Sequence, residues 1–155
     1  MYYPWLYSSG MNKRRGAAPD VMWSLLQAAG AVEARIEGAL AEVGLSGAKL
    51  AALTQLVEAG EPITLGELAA QCACVRSNIT QLVDRLESEK LVKRVDDPQD
   101  RRSLRAAITP LGRERQALGA KKIDVVRKQL AGALKAIDGD ALQRALAGLD
   151  PVSKK

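Results

Sequence analysis

The chain has 155 residues, of which 47% are hydrophobic and 26% charged, a composition suited to one soluble domain with a real core and without the ~20-residue apolar run of a membrane span. Histidine is absent, which removes the commonest general base and the commonest metal ligand and lowers the case for an enzyme or a metal protein. A net charge of +5 with a pI near 9.4 favours polyanionic partners.

Tyr2, Tyr3, Trp5 and Tyr7 crowd the first seven residues, with no basic segment leading into an apolar one, so no secretory signal is expected. Met11, followed by "NKRRG", reads like a second start. Residues 1–18 are therefore read as a flexible arm, a tag remnant or a mis-assigned leader, in preference to an arm swapped onto a partner subunit. A cytoplasmic protein is expected, and Cys72 and Cys74, too close in sequence to bridge each other, fit a reducing compartment.

From Asp20 the pattern turns helical, with Val21, Leu25, Ala28, Val32, Ile36, Leu40 and Val43 at three- and four-residue spacing. Met22, Trp23, Leu26 and Ala29 widen the stripe at its start, so that end needs more than one apolar partner. Gly44 closes this helix, and Ser46 caps a second that carries Leu50, Leu53, Leu56 and Val57 to Gly60. Thr64 and Glu67 form a capping box opening a short helix over Leu68, Ala69 and Cys72. After a turn at Ala73–Val75 comes "RSNITQLVDRLESEK", with Ile79, Leu82, Val83 and Leu86 on one face. Its other face presents Ser77, Gln81, Asp84, Arg85 and Ser88, flanked by Arg76, Asn78 and Thr80. Two short helices joined by a tight turn, the second polar outside, have the form of a helix-turn-helix.

"LVKRVD" and "SLRAAIT" then flank "DDPQDRR", Asp96 to Arg102. Leu104, Ala106 and Ile108 alternate with Ser103, Arg105 and Ala107, as in a strand with one buried face, so the charged, proline-stiffened segment is a hairpin tip. Thr109 and Pro110 begin a long helix with Leu118, Ile123, Val126, Leu130 and Leu134 along its apolar line. Asp138 caps a final helix with Leu142, Ala145, Leu146 and Leu149, ended by Pro151. The expected fold is mainly α with a small two-stranded β wing: a winged helix-turn-helix lobe over about residues 46–109, and dimerisation helices over about 20–43 and 110–150. Residues 19–150 make a single domain.

"VRSNITQLVDRLESEKLVKRVDDPQDRRSLRAAITPLG", Val75 to Gly112, resembles the recognition helix, wing and following helix start of the MarR family of bacterial transcription regulators. The wing fits that family's D-P-x-D-R-R pattern and the strand ending, here Ile108-Thr109. The helix order extends the resemblance over about residues 20–150. It implies a homodimer with interleaved terminal helices, and two recognition helices in successive major grooves of a pseudo-palindromic operator, about 34–36 Å apart. It also implies a repressor role and release by a small-molecule effector. Arg76, Ser77, Asn78, Thr80 and Gln81 fall where the family reads bases and phosphates, with Arg85 further along the same polar face. Arg101 and Arg102 fall in the wing, where one arginine enters the minor groove and an acid, Asp100 or Asp97, orients the other. One departure is Val75, which stands where the family often has a small polar residue and cannot cap through its side chain.

Each feature has a plainer explanation. A polar helix face can be merely solvated, and a charged hairpin tip can hold only its own salt bridges, worth about 0–1 kcal/mol each when exposed. Asn78 and Gln81 are suited to bidentate contact with adenine, and the preceding helix and basic wing favour double-stranded DNA as the partner. Cys72 and Cys74 read as core residues, a redox-responsive regulator being the alternative. Trp23 reads as a dimer-core anchor and Arg35 as a solvent-facing charge; stacking on an aromatic effector and pairing with its carboxylate are their functional alternatives. No cofactor, metal or membrane partner is expected. The rival from another class is a winged-helix module binding an acidic protein.

Overall fold

A computed structural model describes residues 20–73, 75–97, 104–135 and 137–148, apart from the side chains of Arg76 and Ala133. The expected N-terminal arm, Cys74, the tip residues Asp100, Arg101 and Arg102, and the last helix positions Leu149 and Pro151 lie outside the described residues. The elements run α1 (Val21–Ala41), α2 (Gly47–Ala59), β1 (Ile63–Thr64), α3 (Leu65–Gln71), α4 (Arg76–Ser88), β2 (Val92–Asp96), β3 (Leu104–Ile108), α5 (Pro110–Ala133) and α6 (Gly139–Ala147). The fold is mainly helical with a small antiparallel sheet, as expected. None of the described helices is long and apolar enough to cross a membrane.

The helix starts follow from local chemistry. Ser46 Oγ accepts the Lys49 amide at 3.3 Å. Thr64 Oγ1 accepts the Glu67 amide at 3.2 Å while Glu67 Oε2 accepts the Thr64 amide at 2.8 Å, the reciprocal capping box read from the sequence. Thr109 Oγ1 accepts the Gly112 amide at 3.0 Å with Pro110 in the first turn, and Asp138 Oδ1 accepts the Asp140 and Ala141 amides at 3.0 and 3.1 Å. Each bond satisfies an amide that the helix itself leaves without a partner.

The sheet order is β1-β3-β2, so the hairpin carries a third strand that the sequence did not reveal. Ile63 pairs with Ala106 and Thr64 with Arg105, while Val92 to Asp96 pair with Ile108 to Leu104. Two residues are too few to show alternation, and Thr64 also serves as a helix cap, so β1 carries no period of its own.

The chain divides by contacts into two units, residues 1–34 and 35–155. In the first, the described residues are the start of α1, where Val21 and Met22 are exposed and Trp23 is half-buried. In the second, Leu40, Leu53, Leu56, Leu68, Ile79, Val83, Leu86 and Val92 form the sealed centre. The start of α5 is pressed onto the turn between α4 and β2. The Thr109 amide donates to the Leu91 carbonyl at 3.1 Å, and its hydroxyl lies within donating distance of the Lys90 and Leu91 carbonyls, at 2.8 and 3.1 Å. A Cβ at Gly112 would stand 2.1 Å from the Leu91 carbonyl oxygen, so only glycine fits there.

Candidate nucleic-acid interface

α3 and α4 are joined by a turn in which Ala73 takes a left-handed φ of 49°, an uncommon backbone for a residue with a Cβ. Val75 precedes α4 with extended angles (φ −72°, ψ 148°) and no side-chain cap, so the departure noted in the sequence leaves this helix start uncapped by its own residue. α4 is held from behind by Ile79, Val83 and Leu86, all at 0% exposure. Its outer surface carries Ser77, Asn78, Thr80, Gln81 and Arg85, all exposed. Ser77, Gln81 and Arg85 follow one another at four-residue spacing, which lines them along one row. Arg76 opens the helix.

The hairpin is tied to this helix by ion pairs. Arg94 on β2 donates Nη1 to Glu87 Oε2 and Nη2 to Asp84 Oδ1, and its backbone amide donates to Glu87 Oε1 at 3.1 Å. The Asp84 hydrogen bond is the main influence holding the Arg94 guanidinium above its ordinary pKa. Asp84, read from spacing as part of the outward polar face, is thus exposed but turned back to the sheet. Lys49 Nζ on α2 meets Glu89 Oε1 at the end of α4, 2.5 Å away.

Asp97, named as a brace for a wing arginine, lies just past β2 and is buried at 6% exposure. Its Oδ2 accepts Arg105 Nε at 2.8 Å, and Arg105 Nη1 also donates to the Pro62 carbonyl at 3.2 Å. That pairing, foremost through the Asp97 hydrogen bond, pushes Arg105 above its ordinary pKa. The sequence pointed to Arg101 and Arg102, and neither they nor Asp100 fall among the described residues. Arg94 and Arg105 escaped the reading because their partners lie 7 to 10 residues away across a turn or a strand pair.

Arg35 is exposed on α1 and lines a cleft of about 450 Å³ with Gly38 and Ala39 of α1 and Lys122, Val125 and Val126 of α5. Lys122 also pairs with Glu42 at its edge. Trp23 belongs to the first unit, where it is half-buried at the start of α1. Cys72 is half-buried and packed against the core. Among the described residues no group of three or more histidines, cysteines or carboxylates is placed to hold a metal ion.

Two helices joined by a short turn and followed by a hairpin that returns onto the second helix define a winged helix-turn-helix. Residues 43–103 match the model described as the MarR family. An HTH-type transcriptional regulator of Bacillus subtilis, YsmB, is 32% identical over 93 residues, covering 60% of this chain. The match spans 63% of that relative's length, and 47% of that of a second, YcgE of the same organism. Among solved structures, a probable transcriptional regulator from Pseudomonas aeruginosa superposes with a TM-score of 0.71 at 26% identity, over 85% of this chain and 98% of its own. CouR, a transcriptional repressor bound to a 23-mer DNA duplex, superposes with a TM-score of 0.71 at 28% identity, over 83% and 91%. CouR of Rhodococcus jostii RHA1 bound to p-coumaroyl-CoA gives 0.67 at 26%, over 88% and 93%. The segment that carries the helix-turn-helix and the wing is therefore similar to the MarR family of transcription regulators, and the fold around it is that of winged-helix regulators.

Proposed function

We propose that this chain is a homodimeric, sequence-specific DNA-binding transcription regulator of the cytoplasm, a repressor whose grip on its operator is weakened by a small-molecule effector. The observation that carries the reading is the exposed row Ser77, Gln81 and Arg85, with Asn78 and Thr80 beside it, on a helix backed by the core and flanked by a wing. CouR, to which this chain is similar in fold and sequence, is bound to a 23-mer DNA duplex in one structure and to p-coumaroyl-CoA in another. In the proposed complex Asn78 and Gln81 read base edges, Arg76, Ser77, Thr80 and Arg85 secure phosphates and register, and Arg101 or Arg102 enters the minor groove.

Dimerisation is supported by apolar residues left uncovered along the C-terminal helices: Val125, Leu134, Ile137 and Leu146. Residues 19–150 act in this proposal as one domain, with α1, α5 and α6 providing the interface. The cleft beside Arg35 supports the effector: its lining mixes Val125 and Val126 with Gln129, the Lys122–Glu42 pair and the Arg35 guanidinium, which suits a small amphipathic molecule bearing a carboxylate. Such a molecule shifts the regulator only through unequal affinity for its DNA-competent and incompetent forms.

The test is fluorescence anisotropy with duplexes from the DNA upstream of the chain's own gene and with scrambled duplexes, over a range of salt. Selective binding whose logarithm falls linearly with the logarithm of salt is expected. Equal binding to every duplex and to an acidic polypeptide would instead favour the protein-interaction module.

A further inference from the structure

We infer that Arg105 is a positioning residue for DNA recognition: through Asp97 and the Pro62 carbonyl it fixes the direction in which the β2–β3 hairpin leaves the helix-turn-helix, and it does not itself bind phosphate. The inference rests on the DNA-binding reading above. On composition alone Arg105 is one more cation near the wing, and the ready assumption is that it faces DNA. Its contacts point inward instead. Nε is committed to Asp97 Oδ2 at 2.8 Å and Nη1 to the Pro62 carbonyl at 3.2 Å, from a side chain only 24% exposed.

Asp97 is the one polar or charged residue buried among the described residues. A carboxylate in that position needs a charged, hydrogen-bonding partner, because a buried charge left unpaired costs far more than an exposed pair contributes. Arg105 supplies it with one arm and reaches β1 with the other. Pro62 directly precedes Ile63 and Thr64, which pair with β3, and Thr64 is the cap of α3. The guanidinium therefore adds a side-chain link between the wing base and the first residues of the helix-turn-helix to the strand pairing of β1 with β3.

Strand geometry shows why one such link is not enough. Adjacent residues on a strand face opposite sides of the sheet. Arg94 is paired across from Ala106, and Arg105 is the residue before Ala106, so the two arginines work on opposite faces. Arg94 fastens one face of the hairpin to Asp84 and Glu87 of α4. Arg105 fastens the other face to β1. With both in place the hairpin cannot tilt toward or away from the recognition helix, and the distance between major-groove and minor-groove contacts is fixed.

The experiment uses the full-length chain and a duplex enriched by the wild-type protein from a random-sequence pool. Arg105→Gln, Asp97→Asn and their combination are measured over a range of KCl concentrations. Each single change is expected to weaken binding about tenfold, and the double no more than either, as for residues in one hydrogen-bonded network. The slope of log affinity against log salt stays at the wild-type value, whereas loss of a phosphate contact lowers it by roughly 0.9. Arg105→Lys, which keeps the charge but not the two-armed geometry, does not restore affinity.

A lowered slope in Arg105→Gln, recovery in Arg105→Lys, or tighter binding when Asp97→Asn releases the guanidinium would each identify Arg105 as a phosphate contact and overturn the inference. Amide hydrogen exchange provides a readout independent of DNA. The amides of the paired residues Ile63 and Ala106 should exchange faster in Arg105→Gln while those of α5 keep their wild-type protection. Unchanged exchange overturns the link itself, whatever the protein binds. A wild-type chain that enriches no duplex overturns the DNA-binding reading, and the exchange result then decides the link alone.

Discussion

The recognition lobe and the C-terminal helices treat the same kind of residue in opposite ways. In α4, Ile79, Val83 and Leu86 recur at helical spacing and are sealed at 0% exposure against the chain's own α3, sheet and α2. In α6, Leu142 and Leu146 recur at the same spacing, yet that helix has no buried residue, and Leu134 and Ile137 just before it are 45% and 49% exposed. An apolar stripe thus signals that a face will be covered without saying by what. The lobe covers its stripes internally and is held by cross-ties at Lys49, Arg94 and Arg105. In the proposed dimer the C-terminal stripe is covered by a second copy.

The largest effect that tests this contrast comes from paired truncations. Leu53→Ala, at a site with 0% exposure, should cost about 2–5 kcal/mol in urea unfolding, the range for large-to-small changes in a packed core. Leu146→Ala should cost the dilute protein about 0.5 kcal/mol or less, as other exposed sites do, while shifting sedimentation equilibrium toward monomer. If the two cost the same at concentrations where only monomer is present, α6 belongs to the lobe's own core and the contrast fails.

The next effect separates folding from recognition within α4. Gln81→Ala is expected to lose about 1–3 kcal/mol on the preferred duplex and much less on a scrambled one, with the unfolding midpoint unchanged. Its exposed position gives no reason for a loss of stability. A fall in melting temperature together with equal losses on both duplexes would make Gln81 a structural residue.

What was legible in the sequence follows from how far each interaction reaches along the chain. Thr64–Glu67, Thr109 with Pro110, Asp138, and Gly44 and Gly60 at positive φ act within three residues of themselves, and each was readable. The stripe of α4 was readable because it repeats. The strand β1 was not, since Ile63 and Thr64 are recognised only by their partners Ala106 and Arg105, some forty residues away. Asp97 was named as a brace through the family resemblance, but its partner depends on strand register, and register is a property of two segments. The proposed contacts of α4 were legible as a surface, while the ties that orient that surface were not.

A smaller effect sharpens the comparison at the start of α4, which has no side-chain cap from Val75. Val75 offers no side-chain cap, so amides of the first turn lack the bond that Thr64 and Thr109 give their helices. Val75→Ser should stabilise the lobe by about 1 kcal/mol in thermal or urea unfolding, the usual worth of an N-cap. Val75 is 62% exposed, so little apolar burial is forfeited. No gain, or a loss, would show that the valine packs in a way its exposure does not suggest.

The smallest effect is a pH dependence within the capping box of α3. The Thr64 backbone N–H, and then its hydroxyl, hold the Glu67 carboxyl below the usual glutamate range. A folded-state pKa depressed in this way means that the ionised carboxylate is favoured by folding. Its contribution is therefore complete above the ordinary glutamate value and is lost as pH falls through the depressed one. Glu67→Gln keeps a side chain able to accept from the Thr64 amide but cannot titrate. Melting curves of the two proteins should differ most near neutral pH and converge in acid, below the ordinary glutamate range. If the difference is the same at every pH, the box is held by shape and hydrogen bonding alone, and the charge of Glu67 contributes nothing to the helix that supports α4.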